Sequence, residues 1–328
     1  MQVEKSFEVR LGIVIVLITL ESRFGALAKN APHKPVREDA MTRRLFITVF
    51  AITVLWALPS LAAVSRAENK TLKIVYVKWD CAIASSNLAK AVLEDKLGYK
   101  VELLPVTQPV LWTSIASGNA DAMVTAWLPN THATMYGKVK NQVEMLGKLT
   151  GGARLGLAVP DYVPLKSIVE LDVNADKFKG RIVGIDPGSG LMQLTEKAMK
   201  EYGIQQLQLV EGSGALMTSS LADAIRKQEW IVVTAWSPHW IFGRWPLHYL
   251  DDPLGSLGKE EGIFKVGRKG LKKDHPEAWA FLTNFRYEYP GQLQRLMDWN
   301  QEKGADPLKS AHRFMEEHPQ LVEAWLKK

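Results

Sequence analysis

The chain has 328 residues, 47% hydrophobic and 23% charged, which is length for about two domains of ~150 residues each and excludes a disordered chain, a coiled-coil rod or a collagen-like fibre. Its single cysteine excludes an internal disulfide framework and an all-cysteine zinc site. The formal net charge is +6, but the first 67 residues hold nine Lys/Arg against five Asp/Glu, leaving 32 against 30 elsewhere, so nucleic acid is not an expected partner.

Residues 41–67 read as a secretory signal. Arg43 and Arg44 form a charged start, Leu45 to Leu58 an apolar run too short for a comfortable membrane span, and Ser65-Arg66-Ala67 a cleavage site with Ala63 as a second choice. An uncleaved anchor helix is the alternative. Residues 1–40 carry another short apolar run, Leu11 to Leu20, and two such segments in tandem suggest that translation starts at Met41 and that 1–40 is a non-native extension. No cysteine directly follows the apolar run to take a lipid anchor, so the expected location is the periplasm, where an isolated thiol such as Cys81 fits.

From Lys70 the pattern alternates strand and helix. Leu72 to Val77 reads as a strand; Ser85 or Ser86 is the expected cap of a helix ending at Leu97 before Gly98. A strand at Val101–Leu104, a short helix at Pro109–Ser117 and a strand at Ala122–Ala126 follow. Further strands are expected at Leu155–Val159, Arg181–Ile185 and Ile231–Ala235, and a helix at Leu191–Tyr202. Beyond Lys269 the chain turns helical through 276–287, 291–302 and 307–326. Alternation of this kind argues for α/β architecture with parallel sheets, here two of them.

Three strands run into tryptophan, at Trp79, Trp127 and Trp236. Ligands of open parallel sheets bind beyond the carboxyl ends of the strands, so three large aromatics there would converge on one crevice. Any one alone would equally well cap the local core. Thr125-Ala126-Trp127-Leu128-Pro129 also recurs as Thr234-Ala235-Trp236-Ser237-Pro238, followed by His132 and His239 respectively, which suggests two lobes presenting equivalent loops. Aromatic faces attract a cation by about 0.5–2 kcal/mol per contact. They suit quaternary ammonium in particular, whose methyls donate no strong hydrogen bond.

The second element is Gly184-Ile185-Asp186-Pro187-Gly188-Ser189-Gly190-Leu191, a strand passing through a glycine-rich turn into a helix. The free amides of Gly190 and Leu191 would form an anion site, although an ordinary tight turn reads the same way. Its spacing is not that of a nucleotide P-loop. Asp80 is a possible counter-charge for a cation or simply a helix cap, and His132 a possible hydrogen-bond donor to an anion or a surface histidine. A nucleophile elbow, a paired-cysteine site and an H-E-x-x-H helix are all missing from the sequence. No cofactor or metal is called for, and an enzyme is not expected.

Taken together, Trp79-Asp80-Cys81-Ala82-Ile83-Ala84-Ser85, Ala126-Trp127-Leu128-Pro129-Asn130-Thr131-His132, Gly184 to Gly190 and Trp236-Ser237-Pro238-His239-Trp240 resemble the glycine betaine-binding proteins of ABC importers, over about Lys70 to Lys328. The resemblance implies a two-lobed periplasmic-binding-protein fold, type II-like, each lobe a mainly parallel sheet flanked by helices. One lobe would comprise 68–154 and 263–328 and the other 155–262, joined by two crossing strands. It implies that Trp79, Trp127 and Trp236 form a cage around a trimethylammonium, and that the Gly190 and Leu191 amides and His132 hold a carboxylate. An acidic residue often found soon after the Trp-Asp pair is replaced here by Cys81-Ala82. The implied partners are a zwitterion such as glycine betaine or proline betaine, a membrane permease and its separate ATPase, served by a monomer. A choline or carnitine binder with the same cage is the nearer alternative, and a periplasmic enzyme acting on quaternary amines the more distant one.

Overall fold

Runs of β-branched and aliphatic residues, punctuated by Gly, Ser and Pro, set the order of elements from Lys70 onward. The computed structural model describes residues 70–327; the expected signal segment, its cleavage site and the N-terminal extension lie outside them. Strand β1 (Thr71–Tyr76) leads into helix α1 (Asp80–Leu97) and returns as β2 (Lys100–Pro105), paired parallel to β1 from Thr71 against Lys100 to Tyr76 against Pro105. Helix α2 (Gln108–Ser117) then crosses to β3 (Ala122–Leu128), a strand buried at every position. Gly98 stops α1 in the left-handed region at φ 67°, returning its N–H to the Glu94 carbonyl, a conformation glycine takes without a Cβ penalty.

After the short helix α3 (Ala133–Val139), strand β4 (Val143–Pro160) runs for 18 residues. Its first half, to Ala153, pairs antiparallel with β9 (Glu261–Arg268), and its second half, from Arg154, with β7 (Val233–Ser237) and β8 (Leu247–Tyr249). Between lie β5 (Arg181–Val183), helix α4 (Gly190–Glu201), β6 (Gln208–Val210) and helix α5 (Gly214–Lys227). The strand order is β2-β1-β3-β9-β4-β7-β5-β6, with β8 beside β4. Buried apolar side chains fall into two clusters. The larger holds Leu72, Ile74, Leu88, Val124 and Phe281 together with all three strand-end tryptophans; the smaller gathers Leu157, Ile168, Phe178, Ile182 and Leu250.

Three expectations are corrected, and two longer elements went unpredicted. Helix α1 begins at Asp80, not at Ser85 or Ser86: Trp79 has extended backbone and its carbonyl accepts the Ala82 and Ile83 N–H groups at 2.9 and 2.8 Å. The two serines face inward, Ser85 Oγ lying 3.2 Å from the Tyr287 hydroxyl. The sheets are mixed rather than mainly parallel, because β9 runs antiparallel to both β3 and β4. Strand β9 escapes a composition-based reading because Glu, Lys and two Gly interrupt its apolar run, and helix α5, capped by the Ser213 side chain on Leu216 N, is likewise missed. Finally, the expected helix over 307–326 is two helices, Pro307–Glu317 and Pro319–Trp325. Pro319 has no N–H to continue the first and starts the second.

Candidate functional site

Trp79, Trp127 and Trp236 line one cavity with about 310 Å³ of empty volume including its mouth, at the small end of the range for small-molecule sites. Each arrives by a different route. Trp79 is the residue from which α1 departs, Trp127 lies next to the end of β3 opposite Ile263, and Trp236 lies next to the end of β7 opposite Leu155 of β4. Leu155, Ile185 and Leu191 add aliphatic walls, Cys81 a buried thiol, and Thr131, His132 and Ser189 the polar side. Among the described lining residues no carboxylate occurs. A cation held there meets aromatic faces rather than a formal negative charge, which favours one that needs no hydrogen-bond acceptor. The indole N–H groups of Trp127 and Trp236 are buried and meet no acceptor among the described residues, whereas Trp79 Nε1 donates to Asp186 Oδ2 at 2.9 Å.

His132 is 1% exposed. Its Nδ1 accepts the Trp127 N–H at 3.3 Å, and burial pushes its pKa down to about 3. The neutral ring therefore carries its proton on Nε2, a buried donor with no acceptor among the described residues, in a side chain that lines the cavity. Its loop is pinned by Glu261 of β9, whose carboxylate accepts the Asn130 and Thr131 N–H groups at 2.9 and 3.1 Å and the Thr131 hydroxyl.

The helix start opposite is capped by Ser189, whose hydroxyl accepts the Met192 N–H. The Leu191 N–H is left free among the described residues. The Gly190 N–H is not free: it donates to Gln108 Oε1 at 2.8 Å. Gly190 also admits no side chain, since a Cβ there would lie 2.0 Å from the Thr131 carbonyl oxygen.

Asp80 does not line the cavity. Its Oδ2 stands 3.4 Å from His239 Nε2, and Oδ1 accepts from Gln301 Nε2 at 3.1 Å. Burial opposes ionisation of its carboxyl, but the neighbouring His239 outweighs it and keeps its pKa below the ordinary value. The two Trp-x-Pro loops, both with cis X-Pro bonds, thus diverge: His132 turns to the cavity and His239 to Asp80. Trp240 packs on His239 and Trp245, and Trp112 edge-on against His132.

Residues 70–317 match the family described as the substrate binding domain of an ABC-type glycine betaine transport system. The chain belongs to this family. The glycine betaine/carnitine transport binding protein GbuC of Listeria monocytogenes is 38% identical over 146 residues, 44% of this chain and 48% of that one, so the match spans about half the length of this curated relative. Among solved structures, the glycine betaine/L-proline-binding protein ProX of Borrelia burgdorferi superposes with a TM-score of 0.76 at 35% identity, covering 79% of this chain and 97% of its own. Lactococcal OpuAC, closed around glycine betaine, gives 0.74 at 37% identity, covering 79% and 100%. The fold is accordingly the two-lobed one of periplasmic binding proteins.

Gln108 and Glu261 were not legible as site residues in the sequence, and Asp186 was visible only as a member of the Gly184–Gly190 motif. Each acts on a partner 82 to 131 positions away, beyond any local spacing. Cys81, Thr131 and Ser189 stand inside the quoted motifs and carried a weak signal through them. Among the described residues no helix is long and apolar enough to cross a membrane.

Proposed function

We propose that the chain captures glycine betaine, or the related proline betaine, for an ABC importer. The trimethylammonium sits among Trp79, Trp127 and Trp236, and the carboxylate lies toward His132 and the start of α4. The observation that carries this reading is the pairing, on one cavity free of carboxylates, of three indole walls with the unpartnered His132 Nε2–H and Leu191 N–H. A zwitterion satisfies both ends at once. The lobes are 70–154 with 263–328, and 155–262. Closure brings Trp79, Trp127 and His132 of one against Trp236, Gly190 and Leu191 of the other, because only the closed form serves both ends of the ligand. The closed monomer is handed to a membrane permease coupled to a separate ATPase, outside the cytoplasmic membrane, in the periplasm. The chain performs no chemistry on its ligand.

Calorimetric titration of the purified protein with glycine betaine and, separately, choline tests this. Betaine should bind tightly and choline weakly, since choline offers the His132 and Leu191 donors a neutral hydroxyl in place of a carboxylate and Asp80 is engaged by His239 and Gln301. A preference for choline would remove the anion half of the site, and silence from both would make the cavity another ligand's.

His132 carries a second expectation. His132→Ala should weaken betaine several-fold more than choline. Because burial holds the ring neutral, with a pKa of about 3, betaine affinity should stay flat over roughly pH 5 to 8, where an ordinary histidine titrates. Were a cationic imidazolium the partner, affinity would rise as pH falls through about 6.5. Titrations at three pH values separate the two.

A further inference from the structure

Asp186 opens the turn Asp186-Pro187-Gly188-Ser189, its carbonyl accepting the Ser189 N–H at 3.2 Å while Gly188 takes φ 77°. Aspartate suits the first position of a turn because its carboxylate can bond the backbone just ahead. Here the side chain turns elsewhere. Among the described residues its hydrogen bond is to Trp79, Oδ2 accepting from the indole Nε1 at 2.9 Å across 107 positions of chain. Of the three cage indoles, only that of Trp79 has its N–H paired among the described residues. Asp186 lines a second, outer cleft of about 800 Å³ including its mouth, but not the cage, whereas Trp79 lines both. The indole is therefore the wall between them, and the half-buried carboxylate stands on its outer side.

A hydrogen bond from an indole N–H to a carboxylate is charge-assisted and directional, so it fixes the orientation of the ring. It also polarises the indole and enriches the face that a cation meets. A carboxylate set inside the cage would serve a quaternary ammonium less well. It would find no N–H to accept, would repel the carboxylate of a zwitterion, and would have to be desolvated. From this geometry, and resting on the cage reading above, we propose that Asp186 is a positioning residue for the cation end of the site. It locks the Trp79 indole in its cage orientation and supplies the cation's counter-charge through the ring rather than by contact. Trp79 and Asp186 belong to opposite halves of the division proposed above. The wall thus takes its final setting in the same movement that traps the solute.

A double-mutant cycle with Trp79→Phe separates this role from that of a turn residue, because phenylalanine keeps an aromatic face but has no N–H to donate. Calorimetric titration with glycine betaine and with choline should show Asp186→Ala weakening both ligands roughly five- to tenfold and by like factors, since both carry the trimethylammonium. Asp186→Asn still suits the turn and keeps an oxygen for the indole, and should lose less. In the Trp79→Phe background, Asp186→Ala should change either affinity by less than about twofold, whereas a turn role would give the same loss in both backgrounds. Unchanged binding by Asp186→Ala, a loss confined to betaine, or an equal loss in the Trp79→Phe background would overturn the assignment and leave the betaine reading standing. Tighter wild-type binding of choline than of betaine would overturn the betaine reading and leave Asp186 in its role. Failure of the wild-type protein to bind either ligand would overturn both.

Discussion

Trp127→Ala is expected to weaken glycine betaine binding by more than about tenfold. One cation–π face is worth ~0.5–2 kcal/mol, and the ligand methyls lose an apolar wall at about 25 cal/mol per Å². Either contribution at its upper range exceeds the ~1.4 kcal/mol that makes a factor of ten. The effect is clean to interpret because the Trp127 indole N–H meets no acceptor among the described residues, so its removal strands no hydrogen-bond partner. Trp127 is also a core residue, 3% exposed, and a buried Trp→Ala change costs ~3–5 kcal/mol of stability. Thermal melting must therefore show that the variant is folded at the titration temperature. Trp127→Phe supplies the companion measurement: it keeps a smaller aromatic face and should lose less. Wild-type affinity in both variants would dismiss the aromatic cage.

Gly190→Ala is expected to cost about a hundredfold or more in betaine affinity while moving the melting temperature little. The new Cβ would lie 2.0 Å from the Thr131 carbonyl oxygen and 2.8 Å from both Thr131 C and Cγ2. Two of those three are backbone atoms of a loop that Glu261 holds by three hydrogen bonds, so the contact cannot be relieved by a rotamer change. Overpacking of this kind costs ~1–3 kcal/mol or more, and a hundredfold corresponds to about 2.7 kcal/mol. If the two halves separate, the variant escapes the clash by staying open and the cost falls on ligand capture. Titration and melting together decide it. Wild-type affinity would mean that Gly190 and Thr131 do not touch when ligand is bound, and a large melting drop would mean that the contact belongs to the core.

What was legible in the amino-acid order divides along the range of the interactions. Trp79, Trp127 and Trp236 are readable because strand ends in an α/β sheet have a known direction, and an aromatic there cannot point far from the crevice. The start of α4 is readable because Ser189 followed by Gly190 is a local capping pattern. Asp80 shows the limit. Adjacent to Trp79, it invited a role beside the cation, but the first turn of α1 carries its carboxylate round to His239 and Gln301, which stands 221 positions away. Gln108 and Glu261 were silent for the same reason. Strand β9 was hidden differently: buried on a mixed sheet it still carries Glu261 and Lys265, because each finds backbone partners, Lys265 Nζ donating to the Thr283 and Phe285 carbonyls. A hydrophobicity pattern cannot anticipate such buried polar groups with their partners supplied by distant backbone.

Strand β3 lies between a neighbour that precedes it, β1, and one that follows by more than 130 residues, β9. Trp127 and the loop to His132 are held by that later strand, through the pairing of Trp127 with Ile263 and through Glu261. A chain growing from its N-terminus, as domains do during synthesis, thus has Trp127 early but lacks the strand that pairs with it and the carboxylate that pins its loop until the last fifth of its length has emerged. On the cage reading proposed above, a fragment that stops short of β9 lacks both the partner strand of Trp127 and the Glu261 anchor of the His132 loop, and is expected not to compete with whole chains for the solute.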